Sequence, residues 1–381
     1  MKNLIQNKYV SALFGTIKGT TGTNDITGTL NVVNSGSAGN TIIIEESNPN
    51  GIDNVLTFLK NNELFPYTII LKNSNFTPCM NNTSNLTFRG NFKNFGTIDI
   101  SGLISVNLEN FTANNNLTLT NSGSLYLKDC IFKELTVQDS FGFEIEDMTV
   151  DKLKFIGCSG IEISGLNIKE NSIIELENST VSIDGLNVEA LNKKIKIKLT
   201  NSELMISSNN QLLPNNIITN STLHFKNLKV TDMNAELFNM NNSTFNSLNT
   251  TITNCSNLFN IANNKSITLN GTISNSTNLF NINSSDTTYI ETKIINSNNL
   301  FNINKSTNTI LILNADENSS PLGTLDTNID FLIKDSIFNK EIIFTISNSI
   351  KVKLTNLNIK DNSLFNIDNC VDFSIKNVKV L

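Results

Sequence analysis

The triplet Leu-Phe-Asn returns four times at a spacing of 21 residues, at Leu237-Phe238-Asn239, Leu258-Phe259-Asn260, Leu279-Phe280-Asn281 and Leu300-Phe301-Asn302. Met240, Ile261, Ile282 and Ile303 follow the four copies in turn. A unit of about 20 residues cannot enclose a core of its own; it hides its apolar side only by stacking on the next copy, which restricts the chain to a solenoid.

A second repeat brackets the first and reads strand, two-residue corner, strand. Its copies begin at Val106, Leu125, Phe143, Ile161, Val181, Leu223, Val352 and Phe373, and each runs for eight residues. Apolar residues take positions 1, 3, 6 and 8, as in Val181, Ile183, Leu186 and Val188, so the alternation of a strand breaks once and resumes. The break predicts a bend. Its fifth position holds Asn110, Asp129, Asp147, Gly165, Gly185, Asn227, Asn356 and Asn377, residue types that tolerate left-handed backbone angles. A further short strand often follows, as at 153–155 and 195–199. Three short strands per coil of 18–21 residues, stacked at about 4.8 Å, make an all-β parallel β-helix.

Columns of like residues should then rise through the stack. Phe238, Phe259, Phe280 and Phe301 form one, and Leu248, Leu269, Ile290 and Leu311, again 21 apart, form an aliphatic one. Asn239, Asn260, Asn281 and Asn302 should form an amide ladder, each side chain bonding to the one above. These columns are read as structural.

This strand-corner-strand pattern resembles the right-handed parallel β-helices of the pectin-lyase-like superfamily over residues 100 to 381. A leucine-rich repeat competes, because Leu354, Leu357, Ile359, Asn362 and Leu364 fit its spacing. The apolar residues ahead of the corner (Ile161, Val352, Phe373) and the lack of a helical stretch in each repeat favour the β-helix. The resemblance implies fold more than function, since this fold serves lyases, hydrolases, tailspikes and inert structural proteins. Enzymes of the superfamily would call for clustered aspartates with a His and an Arg-Lys pair, or a calcium-binding acid cluster with an arginine base. Here the single histidine is His224, and the single arginine, Arg89, precedes the regular coils. The resemblance therefore points to a non-catalytic member of viral or phage fibre or spike type.

Three segments are expected: 1–40 as an N-terminal attachment extension, 41–100 as a cap with the first irregular coils, and 101–381 as the regular β-helix with a loop insertion near 314–323. Residues 15–40 are rich in Gly, Thr and Ser and read as a thin or flexible lead-in. The spacing in Ile52–Lys60 predicts one short amphipathic helix between strands at 41–44 and 67–71, plugging the open end of the stack. At the other end, the last octapeptide reaches Val380 with no cap after it, and that edge is expected to dock a partner.

Composition narrows the function classes. Asn, Ile and Lys are in excess beside a lone Arg89, which reads as the bias of an AT-rich genome. A formal net charge of −6 gives no general attraction to nucleic acid. Lys193, Lys194, Lys196 and Lys198 alternate with apolar residues and read as a solvated outer face. No apolar run approaches ~18 residues, so membrane insertion is not expected, and Met1–Gly15 lacks the pattern of a signal peptide. Five scattered cysteines (Cys79, Cys130, Cys158, Cys255, Cys370) read as small core residues rather than a disulfide frame.

No catalytic, cofactor-binding or metal-ligating set is expected. The one candidate is an acidic column: Glu144 and Glu162 share an outward position on successive coils, with Glu146 and Asp147 at the adjacent corner. Such carboxylates would bind Ca²⁺ or hold one raised pKa for acid chemistry, against the plainer reading of a solvated acidic face. Downstream the same outer positions carry Lys226, Lys229, Lys353, Lys376 and Lys379, a polarity compatible with end-to-end stacking. The expected function is a non-enzymatic structural protein of a virus or phage particle, partnered by other particle proteins or by copies of itself, for instance as a trimer. A cell-surface adhesin that binds glycan is the alternative, and a polysaccharide-degrading enzyme using the acidic column comes third.

Overall fold

The computed structural model describes residues 30–34, 40–44, 67–74, 86–92, 98–187, 195–207, 212–316, 319, 321–339, 343–359 and 365–380. They form an all-β parallel solenoid of about 12 turns with no helix among them. The helix expected at Ile52–Lys60 lies outside the described residues. The leucine-rich alternative, which needs a helix or helical turn in each repeat, does not fit the described coils.

Among the described residues one pairing is antiparallel: Leu30–Asn34, in the segment read as a thin lead-in, against Asn40–Ile44, the first strand expected of the cap. From Asn40–Ile44 on Tyr67–Ser74 onward, every described pairing is parallel. Contacts divide the chain into two compact units, Met1–Ser172 with Ser179–Asn187, and Ile173–Asn178 with Val188–Leu381.

In the first unit the octapeptides lie in register. Tyr126 pairs with Glu144, and Glu144 with Glu162. Inward positions Leu125, Leu127, Cys130 and Phe132, then Phe143, Ile145, Met148 and Val150, are all buried. Asn110, Asp129, Asp147, Gly165 and Gly185 adopt positive φ at the predicted corner.

In the second unit two strand types alternate. Four-residue strands stack on one face (Asn216–Thr219, Phe238–Asn241, Phe259–Ala262, Phe280–Asn283, Phe301–Asn304), and longer bent strands such as Thr244–Thr253 and Thr288–Ile295 supply the rest of each coil. The Phe column is as expected. Ring centroids of Phe259 and Phe280 are 4.7 Å apart at 13° between planes, and those of Phe280 and Phe301 5.4 Å apart at 10°. Phe238 joins Phe259 at 5.5 Å with a larger tilt.

Gly323 pairs with Phe301, and Phe344 with Gly323. The steps in that column are thus 22 and then 21 residues, and the 314–323 segment lengthens its coil by one residue. A Cβ on Gly323 would overlap the Phe301 carbonyl, and its φ of +155° is one that side chains avoid. The gap left above Phe301 is closed by Phe344, whose ring centroid lies 6.1 Å away.

Corners explain the asparagine. Among the described non-glycine residues with positive φ, all but Ser105, Ser124, Ser284, Lys305, Thr327 and Lys351 are Asn or Asp. These are the L-residues that enter the left-handed region at least cost. The coil around residue 260 uses three such residues, Asn254, Asn257 and Asn263. Part of the Asn excess read as a genomic bias thus has a structural use. Asn227, expected at a left-handed corner, is not one of them and continues its strand.

A feature with no counterpart in the sequence reading is a buried hydroxyl column immediately after the left-handed corner. In the first unit, Leu103 N–H donates to Ser122 Oγ at 3.1 Å, Ser122 N–H to Ser140 Oγ at 3.0 Å, and Cys158 N–H to Ser179 Oγ at 3.0 Å. In the second, Ser202, Ser221 and Ser243 pass the same bond upward, Ser243 N–H ending on Asn264 Oδ1. Cys255, Ser276, Ser297 and Ser319 build a parallel column at another corner. Each accepting hydroxyl, and the Asn264 amide oxygen, answers a backbone N–H that a turn would otherwise orphan, while the Cys158 and Cys255 thiols donate to carbonyl oxygens.

The expected aliphatic column needs correction at its first member. Leu269, Ile290 and Leu311 are in register and buried, but the residue beneath Leu269 is Ser247. Leu248 points outward and is 55% exposed. Ser247 Oγ instead meets Thr250 Oγ1 at 2.7 Å inside the corner. Thr288 and Thr309 take inward places between Ile267 and Phe331, and nothing in the structure explains their unpartnered hydroxyls.

Candidate functional site

The acidic column is assembled as predicted in register and differently in chemistry. Glu144 and Glu162 are exposed and directly paired, with Tyr126 below and Ser182 above. Glu146 does not join them. Its carboxylate accepts the Tyr126 O–H at 2.6 Å and pairs with Lys128 at 2.9 Å. The Tyr126 bond, then Lys128, holds its pKa below the usual carboxylate range, the opposite of the raised acid such a cluster was expected to supply. The slight burial of the carboxylate pulls the other way and is outweighed by these hydrogen bonds.

Asp147 is spent on the fold. It holds φ at +49°, its N–H donates to the Ser164 carbonyl at 2.9 Å, and its carboxylate fills the space above Gly165 where a side chain would stand. Two of the four acids are thus tied up, and the two remaining form an open pair. Among the described residues no group of three or more His, Cys, Asp and Glu side chains is placed to hold a metal ion.

Other charged candidates are dispersed. His224 Nε2 stands 3.7 Å from Glu203 Oε1, and Lys198 is bound to Glu175 at 2.8 Å. Lys193 and Lys194 lie outside the described residues.

The amide ladder is present above its first rung. Asn281 donates to Asn260 at 3.3 Å, Asn302 to Asn281 at 3.0 Å, and Thr324 to Asn302 at 3.2 Å. Between Asn239 and Asn260 the link is Glu236, whose two oxygens accept one amide each at 3.0 and 2.9 Å. Corner asparagines make further ladders, with Asn220 donating to Asn201, Asn242 to Asn220, and Asn296 to Asn275.

Sequence reasoning missed a recess in the second unit. The corner between inward residues spans two positions in the coil carrying Leu248 and Asn249, and two again in the coil carrying Lys334 and Asp335. In the three coils between them it shrinks to one, leaving only Asn270, Glu291 and Ile312. Gly271 makes the tighter corner possible, because a Cβ there would overlap the Thr250 carbonyl. Three short corners in succession leave a depression of about 280 Å³ lined by Asn270, Glu291, Lys293, Asn314 and Asp335, with Ile312 and Ile337 between them.

Its polar groups are unevenly committed. Glu291 accepts the Tyr289 O–H at 2.9 Å, and Asp335 accepts the Asn356 amide at 2.8 Å. Burial first, then Glu291 and Asp335, raises the Tyr289 pKa, so that phenol stays a donor. Asn270, Asn314 and Lys293 are exposed and have no side-chain hydrogen bond or ion pair among the described residues. The signal in the sequence was the drop from three residues to two between Ser247 and Thr250 and between Leu269 and Gly271, which a fixed 21-residue count conceals.

No protein-family model matches the chain, and neither the curated proteins nor the solved structures include a match.

Proposed function

We propose that this chain is a non-enzymatic structural solenoid, a right-handed parallel β-helix of the pectin-lyase-like kind serving as a component of a viral or phage particle. The observation that carries the reading is the commitment of its outward side chains. Asn260, Asn281 and Asn302 bond to one another, Asn201, Asn220 and Asn242 do likewise, and Glu146 and Asp147 are held within their own corner. Side chains used to brace neighbouring coils favour a mechanical role over chemistry. The strong right-handed preference of parallel crossovers, about 98% of cases, supports the hand. The Ile and Lys excess beside a lone Arg89 fits a source with an AT-rich genome, and the corners explain part of the asparagine.

Peptides from this chain, in fixed ratio to the major structural protein of purified particles, are the expected mass-spectrometric result. Their confinement to a cell-surface fraction would favour the adhesin reading instead. Polysaccharide cleavage by the purified chain, abolished by Glu144→Gln or Glu162→Gln, would overturn the structural reading in favour of an enzyme.

A further inference from the structure

We propose that the recess bounded by Asn270, Glu291, Lys293, Asn314 and Asp335 is a binding site for one ring of a neutral saccharide. This goes beyond the structural reading and holds whether or not the chain belongs to a particle.

Three observations converge. The first is shape: three short corners in succession open a hollow three coils high, roughly 14 Å at the usual strand spacing. Its volume of about 280 Å³ lies near the small end of ligand pockets, which begin at about 300 Å³. The hollow is set in a stacked sheet, so its walls are already in place before a ligand arrives.

The second is unused hydrogen-bonding capacity. Asparagines elsewhere on this unit are zipped into ladders, yet Asn270 and Asn314 have no side-chain partner among the described residues, and neither has Lys293. Each amide can donate twice and accept twice, and the ammonium donates three times. Glu291 and Asp335 are oriented by Tyr289 and Asn356 with lone pairs left over. Donors and acceptors at several heights suit a ring carrying several hydroxyls, each of which both donates and accepts.

The third is charge and floor. Two carboxylates and one ammonium leave one excess negative charge, which disfavours an anionic ligand, while Ile312 and Ile337 offer aliphatic surface to the C–H face of a ring. An inorganic anion would use Lys293 and the amides but leave both carboxylates facing it.

Saturation-transfer NMR on the full chain tests this, using glucose, galactose, mannose, fucose, N-acetylglucosamine and N-acetylgalactosamine as neutral probes. Galacturonate, phosphate (followed by ³¹P line width) and lysine are the charged probes. At least one neutral sugar should receive saturation, and its signal should fall at least about fivefold in Asn270→Ala/Asn314→Ala, the loss expected from two hydrogen bonds. Both side chains are exposed and unpartnered, so the double variant should keep the wild-type circular dichroism and melting temperature. If it does not, Lys293→Ala serves as the second variant, with the same loss expected. Binding by none of the neutral sugars, equal binding by the folded variants, or binding by charged probes alone would overturn the proposal.

Discussion

At the scale of single residues, the Phe column is the most sensitive point of the second unit. Phe280 is buried between Phe259 and Phe301, with both rings near van der Waals contact. Phe280→Ala should cost about 3–5 kcal/mol, because the stacked neighbours cannot collapse into the space without breaking register. Urea denaturation of wild type and variant measures the difference. Asp326 behaves differently. Its carboxylate accepts Ser347 Oγ at 2.6 Å, Asn348 Nδ2 at 2.9 Å and Thr327 Oγ1 at 2.9 Å, and these bonds, Ser347 first, hold its pKa below the ordinary aspartate value. A lowered folded pKa gives stability that is present above about pH 4 and is lost as pH falls through the folded value. Asp326→Asn should therefore lower stability at neutrality, flatten the acid limb below about pH 4 and approach wild type there, as urea midpoints across that range would show. Thiols offer a third check. Burial pushes Cys130 up to about 12 and raises Cys158 and Cys255, whereas Cys370 is only half-buried. Iodoacetamide at pH 8 should modify Cys370 in the native chain and spare those three, as peptide mapping would record.

At the scale of the element, two kinds of ladder invite comparison. Ser276 Oγ is buried and accepts the Cys255 N–H while donating to the Ser274 carbonyl, so Ser276→Ala strands a buried donor at a cost of about 1–3 kcal/mol. Asn281 makes two ladder bonds in the open, where water replaces them, and Asn281→Ala should cost less than about 1 kcal/mol. Equal destabilisation in thermal melts would contradict this ranking. The outward ladder was legible in the sequence because its residues repeat at 21. The inward one was not, since Ser, Cys and Asn alternate along it and its steps vary with the coil, from 18 between Ser122 and Ser140 to 22 between Ser221 and Ser243. Leu248 failed for a related reason. Counting 21 back from Leu269 overlooks the residue lost at the corner between the two coils, so the phase slips by one and the side chain turns outward. The acidic column was placed correctly as geometry, but spacing alone could not reveal that Tyr126 and Lys128 reach up to claim Glu146.

At the scale of the whole molecule, stacking makes stability a matter of neighbours. Each coil in a solenoid contacts mainly the coils above and below it, so damage should spread over a short distance. Hydrogen exchange in Phe280→Ala should accelerate in residues 259–302 and leave residues 117–156 at their wild-type rates. Uniform acceleration along the chain would show instead that it unfolds as one cooperative block.

The single-residue corners at Asn270, Glu291 and Ile312 carry a consequence for how such a surface can change. Because the coils are registered, deleting one corner residue from a neighbouring coil would lengthen the hollow along the stack by one fixed increment of about 4.8 Å, and restoring it would erase that increment without disturbing the column behind. Relief on this surface is digital: a lineage could tune what it grips one notch at a time while the scaffold beneath stays constant.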